Sequence, residues 1–111
     1  MLGGAVLLKG AVTIVASPSG WTERVTTGPP WLATAGTGDV LAGCIGALVA
    51  SAAARSVLDA EALARLGATG AALHGRAGTL AASLLGERGG PITALDVADT
   101  LPRVVAESLE D

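Results

Sequence analysis

Leu32-Ala33-Thr34-Ala35-Gly36-Thr37-Gly38-Asp39-Val40-Leu41-Ala42-Gly43 is the stretch from which the rest of this 111-residue chain can be read. Glycines one residue apart let a ligand approach the backbone closely, and successive N–H groups at a helix start form a concavity for an anion. Behind them, fifteen residues pass without a charge between Asp39 and Arg55. This predicts a buried helix from near Thr37 or Gly38 to about Ala54, with Asp39 in the first turn, where the helix dipole favours a carboxylate. A membrane span needs roughly twenty apolar residues, so no membrane association is expected.

Upstream, Val6-Leu7-Leu8 and Ala11-Val12-Thr13-Ile14-Val15-Ala16 read as two strands separated by Lys9-Gly10. The apolar lead Met1-Leu2-Gly3-Gly4-Ala5 lacks the basic segment and cleavage site of a signal peptide, and reads as the approach to the first strand. Ser17-Pro18-Ser19-Gly20 is a turn cluster, and residues 21–27 alternate as a half-exposed strand does, so a hairpin is expected over Ala11 to Thr27. Gly28-Pro29-Pro30 ends that pattern, and Trp31 to Asp39 forms a loop.

Downstream, Asp59 is placed to cap a second helix running through Leu63, Leu66, Ala71, Leu73 and His74 toward Leu85. Glycines at 67, 70, 75 and 78 weaken its propensity but permit close packing. Thr93 with Asp96 three residues on resembles a capping box, with Leu95, Ala98 and Leu101 on one face of the helix that follows. Pro102 fits a helix interior poorly and is expected to open a short final helix carrying Val104, Val105 and Leu109. The order is strands first, then only helices. A hairpin followed by three or four helices looks like part of a layered α/β domain rather than a whole one.

Composition narrows the function. Half the residues are hydrophobic, but there are two Trp and no Phe or Tyr, so the core must be built from Ala, Val, Leu and Ile. Sixteen glycines are about twice ordinary usage and follow no period. A net charge of −3 offers no broad basic surface to a nucleic acid. Cys44 is the single cysteine, which excludes an intrachain disulfide and a thiolate metal site and makes a reducing cytoplasm the expected compartment. On its apolar helix it reads as a small buried hydrophobe.

Asp39, at the mouth of a helix behind an anion-binding loop, can accept a proton from a substrate hydroxyl as phosphoryl transfer begins. Taken alone, an aspartate there equally serves only to complement the helix dipole. Lys9, between two strands, reads on its own as a solvated turn residue. His74, the only histidine, reads as a packing or hydrogen-bonding residue, and Trp21 and Trp31 as covers for the hairpin, although Trp31 also lies within reach of a bound base.

The string LATAGTGDVLAG, read with LLKGAVT at residues 7–13, with LHGRAG at 73–78 and with ITALDVADTLPRVV toward the end, resembles the NAD(P)H-hydrate dehydratase family, also called the YjeF carboxy-terminal domain family. The chain departs from the family pattern at Pro29-Pro30 and at Ser51-Ala52. The resemblance covers nearly the whole chain and implies a ribokinase-like α/β fold. It also implies ADP-dependent repair of hydrated NADH and NADPH, with AMP and phosphate released and magnesium expected with the nucleotide. It assigns Lys9, Gly10, Ala11, Val12 and Thr13 to the adenine nucleotide, Gly36, Thr37 and Gly38 to the anion hole around its phosphates, and Asp39 to substrate binding and catalysis. No metal ligand is assigned. A small-molecule kinase of the same superfamily shares the Gly-x-Gly-Asp device, and a nucleotide-binding fragment without activity is the third reading.

Family members carry a long amino-terminal portion ahead of the LKG motif, so residues 1–111 are expected to be the carboxy-terminal portion of the domain, a fragment or truncated product. An apolar sheet face without its partner layer then predicts a homo-oligomer.

Overall fold

The computed structural model describes residues 4–110, so the lead at residues 1–3 lies outside the described part. Three short strands, β1 (Val6–Leu8), β2 (Thr13–Ala16) and β3 (Thr22–Val25), are followed by a 3-10 turn at Pro30–Leu32 and three helices, α1 (Thr37–Ala53), α2 (Ala60–Ser83) and α3 (Ala94–Glu110). The α/β class follows, with the expected strand-then-helix order.

The strands form an antiparallel meander in the order β1-β2-β3, the expected first strand joining the expected hairpin. Leu7 pairs with Val15 and Thr13 with Val25, which places these residues on the inner face. Val15 is almost fully buried there. The period-two alternation turns Val6, Leu8 and Ile14 outward. Leu8 remains 68% exposed, so the outer face of the sheet is apolar and uncovered among the described residues.

Helix α2 is the hub. Its buried positions are almost all alanine or glycine, Ala64, Gly67, Gly70, Ala71, Gly75, Ala77, Gly78 and Ala81 among them. A helix with so little side chain on its inner face lets backbones come close. A Cβ built at Gly78 would stand 2.7 Å from Leu32 Cδ2, and one at Gly75 would stand 2.5 Å from the Thr27 carbonyl oxygen. The loop that leaves β3 is therefore laid directly on α2, and this contact fixes where α1 begins.

The core divides into two buried clusters. One joins Ala77, Ala81, Ile92, Val97 and Val104 with partly buried Leu32, Val40 and Leu101, and the other joins Val25, Leu41 and Ala71 with Leu7 and Ile45. Both are filled by Ala, Val, Leu and Ile, as the composition requires.

The expected caps are present. Asp59 Oδ1 accepts from the Ala62 amide at 2.7 Å. Thr93 and Asp96 form a reciprocal box, Asp96 N–H donating to Thr93 Oγ1 at 3.1 Å and Thr93 N–H to Asp96 Oδ2 at 2.8 Å. Two expectations are corrected. Pro102 does not open a separate helix but lies inside α3. It sits on the exposed side, while Val97 and Val104, on either side of it in sequence, are anchored in one cluster, and that packing outweighs the lost backbone bond. The buried face of α3 is accordingly Val97, Leu101 and Val104 rather than Leu95, Ala98 and Leu101, and Leu95 and Leu109 are 72% and 83% exposed.

Candidate functional site

The first turn of α1 is shaped by Gly36, which takes the N-cap position at φ 90° and ψ −12°, a left-handed conformation that suits glycine. No side chain caps this helix. The Thr37 amide reaches the Thr34 carbonyl at 3.3 Å and the Val40 amide reaches the Gly36 carbonyl at 3.2 Å. Between them, the amides of Gly38 and Asp39 have no protein acceptor among the described residues. Two free N–H groups at the positive end of a seventeen-residue helix are a ready anion site. Gly38 keeps it open, since a Cβ built there would meet nothing within 4 Å. Asp39 is exposed beside these amides.

Thr37 is turned the other way. It is 1% exposed, and its hydroxyl lies 2.6 Å from the Leu32 carbonyl and 2.9 Å from the Thr34 carbonyl, so it closes the loop from within. Only its backbone is left for a ligand.

A cavity of about 300 Å³ opens between the β1–β2 connection and the loop after β3. Lys9, Gly10, Ala11 and Thr13 line one side, Thr27 to Pro30 with Leu32 and Ala33 contribute the other, and Leu41, Ala71 and His74 form the floor. Of residues 9–13, Val12 alone does not line it. A larger groove of 470 Å³ runs along β3 and α2, where the Arg65 guanidinium sits 4.9 Å over the Trp21 ring. That groove holds none of the residues singled out for chemistry. Trp31 lies in the 3-10 turn, 41% exposed, and is not among the cavity's lining residues.

The Lys9 cavity and the first turn of α1 meet at His74. The imidazole is 3% exposed and its Nε2 lies 2.9 Å from the Thr37 carbonyl oxygen. A carbonyl can only accept, so Nε2 carries the proton. Burial pushes the His74 pKa down, against the hydrogen bond to Thr37, and the positive charge of Lys9 pushes in the same direction as burial. The bond bears out the reading of His74 as a packing or hydrogen-bonding residue, while its partner and its place in the cavity wall go beyond that reading. Cys44 is half-buried, and burial raises its pKa, away from a reactive thiolate.

No group of three His, Cys, Asp or Glu side chains able to hold a metal ion occurs among the described residues. No helix of the described chain is long and apolar enough to cross a membrane.

A family model described as NAD(P)H-hydrate dehydratase matches residues 1–103. The chain is similar to the bifunctional NAD(P)H-hydrate repair enzyme Nnr of Salinibacter ruber, 44% identical over 104 residues that cover 91% of this chain and 17% of that protein. The protein of the same name from Escherichia coli is 36% identical over 109 residues, 98% of this chain and 19% of its own length. That of Mycobacterium tuberculosis is 58% identical over 50 residues, 45% of this chain and 11% of its own length. The chain thus spans under one fifth of the length of these curated relatives. No solved structure matches it.

Proposed function

Because this chain belongs to the NAD(P)H-hydrate dehydratase family, we propose that residues 1–111 carry the nucleotide-binding and catalytic corner of a ribokinase-like domain that dehydrates hydrated NADH and NADPH at the expense of ADP. Bound ADP supplies a phosphoryl group to the hydroxyl of the hydrated ring, after which phosphate leaves together with a ring proton, giving reduced nicotinamide, AMP and phosphate. Hydroxide is a poor leaving group and phosphate a good one, which is what this chemistry changes.

The chain's own residues divide the work. Gly38 and Asp39 offer their free amides to a phosphate oxygen, and the open space over Gly38 admits it. Lys9 brings a positive charge to the cavity that Gly10, Ala11 and Thr13 line. Gly36 and Thr37 set the turn, the first by its left-handed backbone and the second by its inward hydroxyl. Asp39 binds the substrate hydroxyl and takes its proton. Magnesium would enter with the nucleotide, on its phosphate oxygens. The setting is cytoplasmic, and the apolar outer face of the sheet supports self-association.

The observation that carries this reading is the pair of unbonded amides at Gly38 and Asp39 with an exposed carboxylate beside them. The test is release of reduced nicotinamide, followed by its near-ultraviolet absorbance, from hydrated NADH and ADP. Asp39→Asn is expected to lower the rate by about 10²- to 10⁴-fold while ADP still binds. Unchanged turnover would remove Asp39 from the chemistry. Accumulation of a phosphorylated product with no reduced nicotinamide would point instead to a kinase.

A further inference from the structure

Thr37 is the first residue of α1 after the Gly36 cap, whose carbonyl takes the Val40 amide, so helix geometry gives the Thr37 carbonyl the Leu41 amide. The 2.9 Å bond from His74 Nε2 is therefore a second bond to an oxygen that did not need one. Backbone satisfaction does not explain why a polar ring is buried in α2 at a site where leucine or methionine would fill the same space. What the bond does is tie α2 to the residue immediately before Gly38 and Asp39.

The other ring nitrogen faces the opposite way. With the proton on Nε2, Nδ1 carries a lone pair and can only accept. It has no protein donor among the described residues, yet no side-chain nitrogen or oxygen there is both sealed from solvent and unpaired. Nδ1 therefore reaches open space, and the space that His74 lines is the cavity shared with Lys9, Thr13 and Thr27.

We infer that His74 is a positioning residue of the nucleotide site, holding the first turn of α1 through Nε2–H and presenting Nδ1 as an acceptor to an amino or hydroxyl donor of the ligand in the Lys9-lined cavity. Ligand in the cavity and the anion-binding turn are then linked through one imidazole. The ligand half of this inference rests on the nucleotide reading above; the hold on α1 does not.

Three measurements on the chain decide it. Ring ¹⁵N shifts of His74 at neutral pH are expected to report the neutral tautomer with the proton on Nε2, and to move at Nδ1 when ADP is added. An Nδ1–H tautomer or an imidazolium would overturn the inference. In His74→Met, amide exchange at Val40 is expected to quicken about tenfold, the value of one hydrogen bond, while that at Val15 in β2 is unaffected. His74→Gln, whose amide N–H can take the place of Nε2, is expected to restore slow exchange.

ADP affinity is expected to fall about tenfold in His74→Met and to recover only in part in His74→Gln, whose amide keeps the donor but does not set its oxygen where Nδ1 stood. Equal exchange and equal affinity in a folded His74→Met chain would refute the proposal. Failure of the unchanged chain to bind ADP would refute the nucleotide reading, and the tautomer and exchange rates would still decide whether His74 holds α1. If His74→Met does not fold, His74→Gln and the ring shifts of the unchanged chain carry the decision.

Discussion

Among single residues, the two glycines of the Gly-Thr-Gly-Asp turn have separable jobs. Gly36 stands at φ 90°, and a Cβ there would come 3.1 Å from the Ala94 side chain. Gly36→Ala is therefore expected to destabilise the fold by about 1–2 kcal/mol, read as a lowered denaturant midpoint. Gly38 has room for a methyl group and lies in helical backbone, so Gly38→Ala should leave stability unchanged or raise it by up to about 1 kcal/mol. The same methyl stands over the free amides and should weaken ADP binding by tenfold or more. A Gly38→Ala chain that is stable and binds ADP normally would mean that phosphate does not approach there.

His74 gives a residue-scale prediction in pH. Its folded pKa lies below the ordinary value because burial, helped by Lys9 from the β1–β2 connection, disfavours the charged ring. The unfolded chain takes up this proton near pH 6.5 and the folded chain only at lower pH. Its contribution is thus fully present above about pH 6.5 and is lost as pH falls below that value toward the folded pKa. Melting temperature should drop between pH 7 and pH 5 more steeply in the unchanged chain than in His74→Gln. Parallel curves would show that the ring does not titrate with folding.

The shape of the turn was legible because a glycine just ahead of an uncharged helical run marks a local left-handed cap. The part played by His74 was not, since which ring nitrogen donates, and to what, depends on α2 lying against a residue 37 positions earlier.

At the level of elements, α2 tests the claim that glycine is there for contact. At Gly67 the nearest atoms to an added Cβ are Val15 Cγ1 at 3.6 Å and Leu7 Cδ1 at 3.7 Å, an ordinary packing distance. At Gly75 the obstacle is the Thr27 backbone. The same change should therefore have opposite signs. Gly67→Ala is expected to stabilise by up to about 1 kcal/mol. Gly75→Ala should cost about 1–3 kcal/mol from overpacking, against that same propensity gain, and should shift the Thr27 wall of the cavity. Equal effects by chemical denaturation would show that the close approach is not real.

Helix α3 shows where sequence rules stopped. The Thr93–Asp96 box was readable because capping is local. The continuity of the helix through Pro102 was not, because it comes from packing against α2: Thr100 Oγ1 lies 3.0 Å from the Ala77 carbonyl, and Val97 and Val104 share one cluster. Pro102→Ala restores an N–H to the ladder and is expected to stabilise the fold, by up to about 3 kcal/mol.

For the molecule as a whole, the division into a small sheet and an all-helical remainder follows from the order of periodicities along the chain. The pairing of the first strand was harder to see. The antiparallel pairing of Val6–Leu8 with Ile14–Ala16 arises from a short connection at residues 9–12, and three residues carry too little alternation to announce a partner. The uncovered face of that sheet is where Val6, Leu8 and Ile14 meet. Leu8→Glu should keep the chain folded and reduce self-association by sedimentation, since the side chain leaves the inner packing untouched. No change in sedimentation would remove this face from assembly.

Residues 1–111, under one fifth of the length of the curated relatives, are proposed to hold a nucleotide site built from Lys9–Thr13 on one side and the α1 turn on the other. Titrating ADP into the chain by calorimetry, alongside Lys9→Ala and Gly38→Ala, tests it most directly. Saturable binding that both substitutions weaken, with folding intact in each, is the predicted result. Absent binding, or binding indifferent to both residues, would contradict it.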